Sequence, residues 1–183
     1  MYLLLVCFAV TLMHHITNIA NFMAMDSANE TTYMRRAIEL AQNGMDKNAG
    51  GPFGALVVHK NKIIGEGFNS VTSTNDPTAH AEIIAIRNAC QHLGSYQLVN
   101  CDLYTTCEPC PMCLGAIYWA KISNIFIATN RIDASKAGFD DSFIYEQFSL
   151  AADERKVKTT VLLEKEAQEL FQNWINKVDK ISY

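Results

Sequence analysis

The chain has 183 residues, of which 49% are hydrophobic and 19% are charged. This length is enough for one well-buried core and too short for two ordinary domains, so we predict a single compact domain. Fifteen Lys and Arg against 19 Asp and Glu give a formal net charge of -4. An acidic chain has no overall attraction for a polyanion, so a small-molecule ligand is favoured over a nucleic acid.

The N-terminal segment differs from the rest, because residues 1–25 contain no Asp, Glu, Lys or Arg and include the apolar run Tyr2–Val10. The segment lacks the basic residue of a signal peptide, and the run is shorter than the roughly 18 residues of a membrane span. We therefore expect residues 1–24 to be a non-catalytic extension or to precede a true start at Met25. The domain then spans 25–183, with no membrane partner. An uncleaved signal sequence is the alternative.

In chain order, apolar residues at helical spacing from Met34 to Met45 predict a first helix from Thr31, with Asn43-Gly44 and then Gly50-Gly51-Pro52 as stop signals. Two strand-like runs, Ala55–His59 and Ile63–Phe68, predict a β-hairpin. A second helix is expected from near Thr78 to Gly94.

The second half of the chain continues to alternate between strands and helices. We predict a strand at Asp102–Thr106, a helix through residues 114–120, a strand at Asn124–Thr129 and a loop over Asn130–Asp141. A strand near Thr159–Leu163 and a helix with apolar residues at 170–178 follow. Such alternation is typical of an α/β fold with helices on both faces of a sheet.

Six cysteines are present, and three of them are clustered at Cys107, Cys110 and Cys113. The remaining three show no paired spacing, so a disulfide framework is not indicated. The pattern favours metal binding in a reducing compartment, and we expect a cytoplasmic location.

The central motif has two parts, His80-Ala81-Glu82 and Pro109-Cys110-Pro111-Met112-Cys113. Together they match the H-x-E and P-C-x-x-C signature of zinc deaminases. One imidazole and two thiolates provide three protein ligands for Zn²⁺ and leave the fourth position open for water. We therefore predict one catalytic zinc ion per subunit, held by His80, Cys110 and Cys113.

The spacing of these residues assigns a role to each of them. Cys110 and Cys113 are three apart at a predicted helix start, so their sulfurs share one face. His80 is expected in the first turn of the preceding helix, and Glu82 then points away from the metal-ligand direction. We predict that Glu82 takes a proton from the activated water and returns it to a ring nitrogen.

Several other uses of these residues compete with this interpretation. A C-x-x-C pair also serves redox and structural zinc sites, but a zinc ribbon needs a second pair. An iron–sulfur cluster needs a fourth nearby cysteine, and position 117 is Ile. A non-enzymatic zinc module gains nothing from Glu82. Cys107 is interpreted as a buried strand-end residue, with metal ligation as the alternative.

The sequence resembles the cytidine-deaminase-like superfamily and, within it, the short bacterial guanine deaminases. The resemblance runs from about Thr31 to Tyr183. It is densest in four stretches, at residues 50–55, 75–82, 107–120 and 137–145. The last of these stretches is the one specific to the subfamily.

The resemblance implies a three-layer α/β/α fold with a five-stranded mixed sheet, and a homodimer whose C-terminal segments are swapped. It further implies that Phe53 packs on a purine ring and that Asn69 binds the polar edge of that ring. Asp141 would assist proton transfer at the 2-amino group, Ala81 would contact the substrate, and Tyr183 would close the neighbouring pocket. Core packing for Phe53, a frayed tail for Tyr183 and a solvated acid for Asp141 are the structural alternatives.

The implied reaction is hydrolysis of guanine to xanthine and ammonia, in which Glu82 protonates N3. A tRNA adenosine deaminase shares the motifs at 75–82 and 108–113, although the acidic balance of the chain argues against it. Deamination of cytosine or guanosine is a further alternative, because pocket shape alone separates these substrates.

Overall fold

The computed structural model describes residues 29–182. The predicted extension at 1–24 and the predicted site residue Tyr183 lie outside the described residues. The chain divides after Phe139 into two compact units, which are described separately below. The single domain predicted over 25–183 stays a prediction.

The elements follow the predicted alternation closely in the first unit. They are α1 (29–46), β1 (Gly54–His59), β2 (Lys62–Phe68), α2 (Val71–Thr74), α3 (Ala81–Leu93), β3 (Cys101–Cys107), α4 (Pro111–Trp119), β4 (Asn124–Thr129) and α5 (Arg131–Lys136). The second unit contains α6 (Ser142–Ser149) and α7 (Glu164–Asn176).

Strands β1 and β2 form the predicted hairpin. They pair antiparallel, with His59 opposite Lys62. The two turn residues, Lys60 and Asn61, have φ angles of 50° and 59°. Two consecutive left-handed residues match the twist of the flanking strands, which is why two-residue hairpin turns favour this geometry.

The sheet is mixed and has the strand order β2-β1-β3-β4. β1 pairs antiparallel with β2 and β3, whereas β4 pairs parallel with β3. The α/β class and the mixed sheet are thus confirmed, but the described residues form four strands rather than five. The predicted strand near Thr159–Leu163 is wrong, because this segment is irregular and exposed. Its β-branched residues favour a strand, yet the second unit holds no strand among its described residues with which it could pair.

The predicted loop at Asn130–Asp141 contains the short helix α5. Asn130 caps this helix, since its Oδ1 accepts hydrogen bonds from the amides of Ile132 (2.9 Å) and Asp133 (3.2 Å). Helices α2 and α6 were not predicted either. All three are shorter than the window in which apolar spacing identifies a helix.

The core lies on both faces of the sheet, as the three-layer expectation requires. On one face, α1 packs Ala37 and Leu40 against Leu56, Val58 and Tyr104. The opposite face carries the larger cluster, which α3 and α4 cover. It includes Ala55, Val57, Leu103, Ala81, Ala85, Ala89 and Ile117. Alternate residues of β1 therefore serve opposite layers, as the pleat of a strand dictates.

Two glycines allow helices to approach the sheet closely. A Cβ on Gly54 would lie 2.1 Å from the carbonyl oxygen of Ala37 in α1. A Cβ on Gly67 would lie 2.4 Å from the carbonyl oxygen of Ala81, the first residue of α3. Because backbone atoms cannot yield at these distances, only glycine lets the start of α3 rest on β2.

The outer edge of β2 carries three polar side-chain contacts. The Asn88 amide donates to the Glu66 carbonyl (2.9 Å), and the Ser70 hydroxyl donates to the Phe68 carbonyl (3.2 Å). Arg36 binds the Glu66 carboxylate through Nε (2.7 Å) and Nη2 (2.9 Å), and this contact lowers the pKa of Glu66. The bidentate pair joins α1 to β2.

The second unit exposes most of its apolar side chains. In α7 these include Leu170, Phe171 and Ile175, which recur at helical spacing and are all exposed. A helix with one apolar face usually buries that face against a partner.

No helix within residues 29–182 is long and apolar enough to cross a membrane.

Candidate metal and catalytic site

The site is built where the starts of two helices meet. His80 is the N-cap residue of α3, and Cys110 is the N-cap residue of α4. Pro111 follows as the first residue of α4, where its missing N–H costs no hydrogen bond. Cys113 lies three residues after Cys110 and faces the same side, as the spacing predicted.

Helix α3 begins later than the sequence indicated. The Asp76 carboxylate accepts hydrogen bonds from the Thr78 amide (2.8 Å) and hydroxyl (2.7 Å). This local turn competes with helix formation, as Asx turns do. His80 consequently keeps an extended backbone, with ψ 154°, and occupies the N-cap position of the helix, without a side-chain capping bond, instead of lying in the first turn.

His80, Cys110 and Cys113 are brought together with a geometry that suits zinc. His80 Nδ1 lies 3.6 Å from Cys110 Sγ and 3.5 Å from Cys113 Sγ. All three donor atoms lie within 4.8 Å of one another. Tetrahedral zinc with ordinary Zn–N and Zn–S bonds separates nitrogen from sulfur by about 3.6 Å. The donor set therefore fits the ion, and Nδ1 is the imidazole nitrogen that lies near both sulfurs.

The two thiols strongly affect each other's ionisation. Hydrogen bonds from Cys113 and His80 lower the pKa of Cys110 to about 4. The hydrogen bond to Cys110 and burial raise the pKa of Cys113. Two adjacent thiolates repel each other, and a divalent cation between them allows both to ionise.

Glu82 lies beside this cluster in the first turn of α3. Its side chain is only 6% exposed, and Oε2 lies 3.5 Å from Cys113 Sγ. Burial raises the pKa of this carboxyl group, because the charged form loses hydration. Glu82 is therefore a buried carboxyl group at the edge of the donor set and is suited to carrying a proton.

Phe53 and Asn69 are neighbours: Phe53 directly precedes β1, and Asn69 directly follows β2. The Asn69 amide N–H donates to the Phe53 carbonyl (2.9 Å), and Asn69 is buried. Its side-chain oxygen accepts from the amides of Gly51 (3.3 Å) and Val71 (3.3 Å). Two donors on one atom identify it as the oxygen, which leaves Nδ2 as the side-chain group of Asn69 that can donate to a ligand.

Hydrogen bonds hold this pair next to the residues that flank the metal cluster. The Ser70 amide donates to the Ala79 carbonyl (2.9 Å), which places the Asn69 loop next to the residue before His80. On the other side, Thr106 Oγ1 accepts from the Gly54 amide (3.1 Å) and donates to the Pro52 carbonyl (3.4 Å). Sequence reasoning missed Thr106, because an isolated Thr in a strand carries no signal of this contact.

Ala81 and Asp141, the other predicted site residues within 29–182, lie in different units of the chain. The Ala81 side chain is fully buried in the core, so any contact with a substrate would involve its backbone. Asp141 is half-buried at the start of α6, in the second unit. Its predicted role stays a prediction.

Cys107 ends β3 as a buried residue, as predicted. Its Sγ contacts the Asn130 carbonyl (3.5 Å), and Cys107 is not part of the three-residue donor cluster. The geometry thus separates it from Cys110 and Cys113 and offers a matched control.

We expect Cys110→Ser to weaken zinc binding by more than about 100-fold. Mutation of residues that only hydrogen-bond to a metal ligand already lowers metal affinity by roughly 10- to 100-fold, and Cys110 is itself a proposed ligand. Serine does not supply an anionic ligand at neutral pH. Zinc content per chain, measured by atomic absorption after dialysis, tests this. Cys107→Ser should keep its zinc. Full retention of zinc by Cys110→Ser would show that the ion is held elsewhere.

Known deaminases are similar to this chain in sequence and in fold. The family described as the cytidine and deoxycytidylate deaminase zinc-binding region matches residues 27–129. The chain is 52% identical over 155 residues to guanine deaminase from Bacillus subtilis, which covers 85% of this chain and 99% of that protein. The X-ray structure of guanine deaminase from Bacillus subtilis superposes with a TM-score of 0.81 at 52% identity, covering 84% of this chain and 98% of that one.

A second group of relatives is less similar. The tRNA-specific adenosine deaminase of Buchnera aphidicola is 43% identical over 115 residues, covering 63% of this chain and 76% of that protein. The region matched by the family model, residues 27–129, includes the helix starts that carry His80, Cys110 and Cys113. By sequence, fold and donor geometry, the chain belongs to the zinc-dependent cytidine and deoxycytidylate deaminase family.

Proposed function

We propose that this protein is a guanine deaminase that hydrolyses guanine to xanthine and ammonia. The observation that carries the proposal is the 52% identity to a guanine deaminase along 99% of that enzyme's length. The compact cluster of one imidazole, two thiols and a buried carboxyl group supports hydrolytic deamination.

In this proposal His80, Cys110 and Cys113 hold the zinc ion. When bound, the ion acidifies a water molecule, so that a nucleophile is available near neutral pH. Glu82 would accept a proton from the attacking water as a C–O bond forms at C2 of guanine, and it would deliver that proton to N3. The proton that remains on the new C2 hydroxyl would then be transferred to the 2-amino group, so that the C2–N bond breaks and ammonia leaves as the C2 carbonyl of xanthine forms.

The environment of Glu82 suits this shuttle. A proton carrier works best when its pKa is close to the operating pH, and burial raises the pKa of Glu82 in that direction. Its position 3.5 Å from Cys113 Sγ keeps the carboxylate beside the metal ligands without making it one of the three.

Substrate binding is assigned to Phe53, Asn69 and the start of α3. Phe53 offers an aromatic face to the flat purine ring. Asn69 Nδ2 donates to an acceptor on the polar edge of the base, because its Oδ1 is held by two backbone amides. The backbone of Ala81 lies at the N-terminus of α3 and can contact the same edge. Asp141 assists proton transfer to the leaving amine.

We also propose a homodimer in which the C-terminal segment of each chain covers the site of the other, with Tyr183 closing the partner's pocket. Support comes from the exposed apolar face of α7 and from the exposed Tyr118 and Trp119 at the end of α4. Such large apolar side chains are seldom left in water unless a partner covers them.

The second candidate function is tRNA adenosine deamination, which the Buchnera aphidicola relative favours. The relative covers less of the chain than the guanine deaminase does, and the net charge of -4 offers little attraction for RNA.

A substrate panel separates these functions. The zinc-loaded protein is assayed with guanine, guanosine, cytosine and a tRNA anticodon stem-loop, and ammonia release is measured for each. We expect kcat/KM for guanine to exceed the others by at least about 100-fold, since a site that pairs with one base leaves polar groups unpaired with another. Zinc-loaded protein that leaves guanine unchanged would rule out the proposed substrate.

Glu82→Gln tests the proton carrier. We expect kcat to fall by about 10²- to 10⁴-fold, the usual contribution of general acid–base catalysis, while zinc content is unchanged. Glu39→Gln, on the exposed side of α1, is the control and should retain full activity. Undiminished turnover by zinc-bound Glu82→Gln would remove this residue from the mechanism.

The dimer is tested by molar mass in solution, measured by light scattering. The wild type should have twice the mass of one chain, and Phe171→Asp should shift the population towards monomer, because it places a charge on the apolar face of α7. Asn173→Asp, on the opposite face, adds the same charge and should remain dimeric.

The swap itself is tested by complementation. Glu82→Gln and Tyr183→Ala chains, each impaired alone, should regain activity when refolded together, because one site then combines an intact Glu82 with the partner's intact Tyr183. A mixture no more active than its components would contradict the swap.

A further inference from the structure

The aromatic ring of Phe53 has one aromatic neighbour among the described residues, Phe139. The two ring centroids are 4.9 Å apart, and the planes are inclined at 85°. This is an edge-to-face contact, the arrangement in which the positive edge of one ring meets the negative face of the other.

Gly51 makes this contact sterically achievable. A Cβ at this position would lie 2.7 Å from Cζ of Phe139 and 2.9 Å from Cε2 of Phe53. Both rings therefore pack directly over the Gly51 backbone. The Gly51 amide also donates to Asn69 Oδ1 (3.3 Å), so one glycine connects both proposed substrate-binding side chains.

The backbone around Phe139 is well fixed although its side chain is 43% exposed. Helix α5 ends in a Schellman motif, in which Gly138 has a φ of 93°. The Phe139 amide donates to the Ala134 carbonyl (3.0 Å), and the Gly138 amide donates to the Ser135 carbonyl (3.0 Å). The end of α5 thus sets the point from which Phe139 reaches Phe53.

A cavity lies beside the rings of Phe53 and Phe139. It has a volume of about 370 Å³, and its lining includes Phe53, Phe139, Met45, Thr106 and Ala137. The space exceeds the gaps of an ordinary close-packed interior, so the Phe53 side chain borders space that no neighbouring side chain fills. Phe139 and Gly51 contact the Phe53 ring directly and, together with the core cluster against which Phe53 packs, hold the orientation of the ring.

We propose that Phe139 is a positioning residue, which holds the ring of Phe53 in the orientation that binds a purine. This inference rests on the proposed function, since it assigns a role to Phe139 in presenting the aromatic face. Phe139 acts through Phe53 and not on the reacting atoms. Loosening Phe53 should weaken binding of substrate and transition state equally, which raises KM and leaves kcat nearly unchanged.

The test compares Phe139→Leu, which removes the ring, with Phe139→Tyr, which keeps it. In the zinc-loaded full chain we measure kcat and KM for guanine and the Kd for xanthine by calorimetry. Phe139→Leu should raise KM and Kd about three- to tenfold, the range expected for one aromatic pair. Its kcat should stay within about twofold, and Phe139→Tyr should restore wild-type values.

Gly51→Ala is a second variant, which displaces both rings without deleting either. The atoms that it meets are ring tips, so the fold should be retained, and its KM and Kd should rise as in Phe139→Leu. Ile132→Ala, an exposed residue of α5 that does not line the cavity, is the control and should match the wild type. Zinc content and melting temperature are measured for every variant.

The outcomes distinguish the two proposals. An active wild type with unchanged KM and Kd in Phe139→Leu overturns the role of Phe139 alone. A fall in kcat without a change in KM also overturns it, because Phe139 would then act on the chemical step. Zinc-loaded wild type that does not deaminate guanine overturns both the substrate assignment and the inference.

Discussion

The meeting of two helix N-termini at one end of the sheet is the constraint on which the site depends. The starts of α3 and α4 bring an imidazole nitrogen within 3.6 Å of two sulfurs. The positive ends of both helix dipoles then favour anionic sulfur. The close approach of α3 to Gly67 fixes the start of α3. The antiparallel pairing of β1 with β3 places Phe53, which precedes β1, beside the end of β3, the strand that leads to the start of α4.

The burial of Glu82 shows how the site departs from what stability alone would favour. A carboxyl group without hydration is costly in the interior unless it is paired. Here the Glu82 Oε2 lies 3.5 Å from the Cys113 sulfur. Such groups commonly mark functional sites, because the same burial that costs stability adjusts the proton affinity.

Much of this arrangement could be read from the sequence because it depends on short spacings. The C-x-x-C and H-x-E patterns each lie on one helix start, and the Lys60-Asn61 turn joins adjacent strands. Features set by distant residues could not be predicted. Thr106 bonds to Pro52 and Gly54, and Phe139 meets Phe53, across long stretches of chain that no periodicity connects. The run Thr159–Leu163 has strand propensity, but propensity does not tell whether a partner strand is available.

The side-chain contacts along β2 have a consequence for how the sheet can be extended. Unpaired strand edges invite other chains to add to them, which leads to aggregation. Asn88 and Ser70 already donate to two carbonyls on the β2 border, so an incoming strand would have to share or displace these contacts. Addition of a strand at this border is therefore less favourable than at a bare edge, which limits accidental polymerisation through β2.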